Sequence, residues 1–137
     1  MTIQVKAKYG GAAWQTTITR GRHRSPEREN ETVRFWILVD LRSEPPRYFV
    51  MPEWWIQNDI YTTHNAYLAA HGGVRPGNVE SKHHAIKTVR VDQWLDRWDP
   101  VGNLRRLTSG SGRRGHVHRA IPLHDVHIAV DRRAAVI

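Results

Sequence analysis

Cysteine is missing altogether from these 137 residues. Its absence excludes a disulfide framework and any thiolate zinc site, and it suits a reducing compartment, so a cytoplasmic protein is the expectation. Long apolar runs are missing too. No stretch approaches the roughly 18 consecutive apolar residues of a membrane span, and the start lacks the basic-then-apolar order of a signal peptide. A soluble chain with no membrane partner follows as the expectation. Negative charge is scarce: 13 acids face 21 lysines and arginines, a net charge of +8. The length is that of one domain, enough for a single core and not for two.

An excess of cations invites a nucleic-acid partner, because Lys and Arg that neutralise phosphates release counterions. Position matters as much as the sum. From Val101 to Ile137 seven arginines (Arg105, Arg106, Arg113, Arg114, Arg119, Arg132 and Arg133) stand against Asp125 and Asp131, which is +5 of the +8. The first hundred residues carry only +3. "SGSGRRG" has the composition of a flexible hinge, so residues 1–100 are expected to form the domain and 101–137 a flexible basic tail.

Along the domain, residues 2–9 alternate, with Ile3, Val5 and Ala7 on one side and Gln4, Lys6 and Lys8 on the other, the period of a strand. Gly10 and Gly11 make a turn, and Ala13 to Thr19 is expected to return antiparallel as a hairpin. "RGRHRSPEREN" then reads as an exposed loop. "VRFWILVDL" (Val33 to Leu41) is the most continuously apolar run and should be a strand in mid-sheet, followed across "SEPPR" by the strand Arg47 to Met51. Pro52 can open a helix over residues 53–71, with Ile56, Ile60, Tyr67 and His71 on one face and Gly72 and Gly73 at its end. "AIKTVRV" is a short extended segment, and Asp92 can cap a final helix "QWLDRWD" with Trp94 and Trp98 on one face. The fold class expected is α/β: a mixed, mainly antiparallel sheet of about four strands, with one long and one short helix packed on it.

Gln4 and Lys6 lie about 7 Å apart on one strand face, at about 3.3 Å rise per residue. An oxygen and an ammonium so placed can meet a cation and a phosphate. The order "IQVKAK", Trp14, "FWILVDLRSEPPRYFVMPEWWI" and "HHAIKTVRVDQWLDRWD" resembles the nuclease-like proteins of the PD-(D/E)XK superfamily over roughly residues 2–99. In that family "QVK" stands for the second half of the catalytic signature, on a strand of a mixed sheet. The resemblance implies a partial restriction-endonuclease-like core, with Gln4 as the metal-facing residue, Lys6 as the catalytic lysine, Val5 lending its carbonyl, magnesium as cofactor and DNA as substrate. It also departs from the family. The first half of the signature is an Asp on the preceding strand, and only Met1 to Ile3 lie before Gln4. The expectation is a DNA-handling protein, truncated or catalytically impaired, with phosphodiester hydrolysis depending on an acid supplied from elsewhere; a homodimer is left open.

Other residues have two readings each. Asp40 could replace the missing acid, but an acid at a strand end more often bonds turn amides. Glu53 and Asp59 fit a helix start and its solvated face. Arg20, Arg22 and Arg24, balanced by Glu27, Glu29 and Glu31, would flank a substrate groove in a nuclease-like fold. Lys8, His84 and Lys87 are further candidates for phosphate contact. His83 and His84 face opposite ways if extended, and His116, His118, His124 and His127 read as a titratable tail rather than a metal site. The alternative to the nuclease-like reading is a non-catalytic basic module that binds nucleic acid or a protein; a third is a small antitoxin-like interaction protein.

Overall fold

A computed structural model describes residues 1–28, 31–99, 101 and 127–130. Six strands and one α-helix order the described chain: β1 (Thr2–Lys8), β2 (Ala13–Thr17), β3 (Arg34–Asp40), β4 (Arg47–Pro52), α1 (Glu53–Ala70), β5 (His83–Lys87) and β6 (His127–Val130). Two 3-10 segments, Ile18–Arg20 and Thr88–Trp94, follow β2 and β5. The class is α/β, as the alternation of sequence patterns implies.

The apolar run of β3 does take mid-sheet. It lies between β1, parallel to it, and β4, antiparallel to it, in a four-stranded sheet of order β4-β3-β1-β6. Two expectations fail here. The sheet is mixed but not mainly antiparallel, since β1 pairs in parallel with both β3 and β6. β2 does not return along β1 either; it pairs with β5 in a separate antiparallel ribbon, Trp14 opposite Ile86 and Thr16 opposite His84. The Gly10–Gly11 turn, with Gly11 at φ 74°, carries the chain out of the sheet rather than back along it.

The helix begins after Pro52, whose φ of −67° suits the junction, with Glu53 in the first turn. Past His71, Gly72 and Gly73 adopt positive φ and the Gly73 amide donates to Leu68 O at 2.7 Å, which closes the helix. Its buried side chains lie in the first half. Ile56, Asp59 and Ile60 are buried, whereas Tyr67 and His71 stack on each other in solvent at 4.4 Å. The short final helix expected around Trp94 begins earlier and is not an α-helix there. Thr88–Trp94 is a 3-10 segment, Asp92 sits inside it, and the two tryptophans part company: Trp94 meets Trp55 at 5.4 Å and Trp98 meets Tyr48 at 6.0 Å.

The main core forms between one sheet face (Trp36, Leu38, Phe49, Met51), α1 (Ile56, Ile60) and the ribbon (Trp14, Ile86), closed by Val91. The Trp14 indole N–H donates to Val39 O at 3.0 Å, a buried bond that ties ribbon to sheet. The opposite face carries a smaller cluster of Ile37, Val39 and Val50, against which Ile3, Val5, Ala7 and Val101 pack. β6 makes residues 127–130 part of the sheet, not of an appended tail. The rest of the expected flexible tail, residues 102–126 and 131–137, lies outside the described residues, as do its histidines 116, 118 and 124. No helix among the described residues is long and apolar enough to cross a membrane.

Candidate functional site

In parallel register, Gln4 stands beside Trp36, Lys6 beside Leu38 and Lys8 beside Asp40. Neighbours in register share a face, so the polar row of β1 joins the side of the sheet that holds the main core. It sits at the rim of that core. Gln4 is half-buried, Lys6 is 9% exposed and Lys8 6% exposed. Burying an ammonium is costly unless it is bonded, and both lysines are bonded.

Lys6 donates from Nζ to Gln15 O on β2 at 3.2 Å. Lys8 donates to Gly11 O at 3.1 Å, pairs with Asp40 Oδ2 at 3.1 Å and lies over the Trp14 ring at 4.8 Å. Asp40 is the hub of this end of the sheet. Its Oδ2 also accepts from Arg47 Nη2 at 3.0 Å, and its Oδ1 from the Arg42 amide at 3.1 Å. Burial alone would raise the Asp40 pKa, but the hydrogen bonds from Lys8, Arg47 and the Arg42 amide, with the Lys8 charge, outweigh it and hold the carboxyl below its ordinary range.

The other sequence candidates are spread over the molecule. Arg20 and Arg22 are exposed, and Arg24 is held against α1 by Gln57 Oε1 at 2.7 Å and pairs within its own loop with Glu27. Their loop is strapped to the helix: the Arg22 amide donates to Gln57 O at 2.9 Å and the Arg24 amide to Asn58 Oδ1 at 3.2 Å. His84 is half-buried under α1, its Nε2 3.3 Å from Thr63 Oγ1 and its ring 6.4 Å from that of His64. Burial lowers its pKa, the His64 and Arg75 charges push the same way, and Asp59 opposes them. Asp59 itself is buried and paired with Arg90. Lys87 is exposed at the end of β5. Glu53 pairs with Arg34 at 3.6 Å.

The structure thus groups Gln4 and Lys6 on one strand, sets Lys8 with Asp40, and leaves the arginine loop and His84 on the helix side. Sequence reasoning passed over Arg42 and Arg47. The signal for them was the hairpin "VDLRSEPPR", whose register puts Asp40 opposite Arg47. Comparison with family models, with curated proteins and with solved structures gives no match.

The magnesium implied by the resemblance does not fit the donors found around Gln4 among the described residues. A hard cation wants carboxylate oxygens, and Gln4 with the Val5 carbonyl offers neutral ones. On one side Gln4 faces Trp36, whose indole N–H is buried without a partner among the described residues and is a donor, not an acceptor. On the other side the residue in register is Ala129. No group of three potential metal ligands occurs among the described residues.

Proposed function

We propose that this chain is a DNA-handling domain of the PD-(D/E)XK nuclease-like type, which binds nucleic acid and does not cut it with the residues described. One observation carries the reading. Gln4 and Lys6 share the core-side face of a strand that runs parallel to the apolar strand β3, and β4 and the Pro52-led helix α1 follow in the order of the family's core. Lys6 is nine-tenths buried at the sheet rim with its ammonium bonded to Gln15 O, a fixed cation at the position the resemblance gives to the lysine. Without a carboxylate beside Gln4 among the described residues, no hydrolytic step is assigned, and Lys6 is the cation that the reading keeps.

Supercoiled plasmid and a labelled oligonucleotide test this, with magnesium or manganese present, using the intact protein beside Lys6→Ala. Salt-dependent binding without cutting is the expected result. Metal-dependent cutting lost in Lys6→Ala would overturn the impaired state and restore a working nuclease. Absence of binding at physiological salt would remove the nucleic-acid reading and favour a protein-interaction module.

A further inference from the structure

The carboxyl ends of parallel strands are where open α/β sheets bind ligands, and β1 and β3 end together at Lys8 and Asp40. A shallow depression of about 300 Å3 opens there, lined by Lys8, Gly11, Asp40, Arg42, Arg47 and Thr88 among others. Three cations meet one carboxylate in it. We propose that this depression is a phosphate-binding site, with Arg42 and Arg47 as the contacting groups and Lys8 as a buried charge behind them; its role for a nucleic-acid phosphate rests on the function proposed above.

Both oxygens of Asp40 are already committed, Oδ1 to the Arg42 amide and Oδ2 to Lys8 and Arg47, and the residue is 3% exposed. An incoming anion therefore meets guanidinium groups, not the carboxylate. Arg47 spends Nη2 on Asp40 and rests against the Phe49 ring at 5.5 Å, while its Nε–H is buried without a partner among the described residues. A small turn of the side chain toward an oxyanion would give that N–H an acceptor, and a planar fork suits a tetrahedral phosphate. Arg42 is exposed, and its guanidinium has no ion-pair partner among the described residues. A second concavity, about 410 Å3, lacks this bias: Arg24 and Arg34 are outnumbered there by Glu27, Glu31 and Glu53.

The test uses the full chain. Sodium phosphate is titrated against sodium chloride of equal ionic strength while amide chemical shifts are followed, and oligonucleotide binding is measured over a salt series. Wild type is compared with Arg42→Gln, an exposed change, and with Arg47→Lys, which keeps the charge and loses the fork. Phosphate should shift the amides of Gly11, Arg42 and Arg47, and Arg42→Gln should weaken it about tenfold, the loss of one charge-assisted contact. If the strand phosphate is the ligand, Arg42→Gln should also reduce the slope of log affinity on log salt by about 1. Phosphate binding that depends on Arg42, in a protein that binds no oligonucleotide, keeps the site for free phosphate and removes the DNA-handling function. Phosphate that shifts nothing beyond chloride, or that binds both variants as it binds wild type, overturns the site, even if DNA binds elsewhere.

Discussion

Lys8 and Asp40 form the pair on which one end of the sheet depends, because each is buried and each would be costly alone. Asp40→Ala should cost about 3–5 kcal/mol in urea unfolding, since it strands the Lys8 ammonium. Adding Lys8→Met to that variant should recover part of the loss, and a double variant no better than the single one would refute the coupling. The pair also fixes a pH response. Asp40 titrates below its ordinary value when folded, so its contribution is complete above the unfolded carboxylate pKa and is lost as the pH falls through the lower folded one. His84 acts in a different window. Its folded pKa is depressed, so the unfolded chain takes up the proton first and stability should decline as the pH drops below about 6.5. Thermal unfolding of His84→Gln should show a flatter profile between pH 6.5 and 5 if that imidazole is responsible. Some of this was legible residue by residue. Asp40 does bond a turn amide, as a strand-end acid should, and His83 and His84 do face opposite ways. Arg47 as its partner was not, because an ion pair across a hairpin depends on register that side-chain type does not reveal.

At the scale of elements, alternation in residues 2–8 and the apolar run of residues 34–40 identify their strands because each carries its own period. Partner choice is another matter. β2 has a nearer neighbour in β1 and still pairs with β5, since Trp14 and Ile86 must both reach the core beneath α1. Nothing local in "AWQTT" encodes a partner about seventy residues away. Ile18 and Thr19, expected to extend the strand, turn instead into a 3-10 segment, and the polar loop read from Arg20 onward forms a strap that crosses α1 at Gly21 with no room for a side chain: an added Cβ would lie 2.9 Å from Ile60 Cγ2 and 3.0 Å from the Tyr61 amide nitrogen. Gly21→Ala should therefore destabilise by about 1–3 kcal/mol through overpacking. Gly10, where a Cβ meets nothing within 4 Å, is the control position. Equal denaturation midpoints for the two alanine variants would mean that the strap is not packed on the helix.

For the whole molecule, the unequal spread of charge and the position of β6 pull one experiment in two directions. A chain ended at residue 101 loses seven arginines and two aspartates, and its net charge falls from +8 to +3. On charge alone it should bind nucleic acid less tightly and with a shallower salt slope, while the domain stays intact. The sheet adds a second consequence, because β6 covers the outer edge of β1 from Thr2 to Val5. Removing it leaves unpaired N–H and C=O groups beside the apolar side chains of Ile3, Val5 and Ala7, an arrangement that invites pairing with a second chain. The shortened protein should therefore self-associate in light scattering at concentrations where the full chain is monodisperse, and its midpoint of unfolding should drop. A shortened protein that stays monodisperse and equally stable would show that the removed segment contributes charge and that β6 adds no stability. The edge it uncovers is also the one next to Gln4 and Lys6, so if the nuclease-like reading holds, it is the place for a carboxylate-bearing strand. Restoring cutting by supplying such a strand in trans, in a Lys6-dependent manner, would join the charge of the molecule and the order of its sheet to a single chemistry.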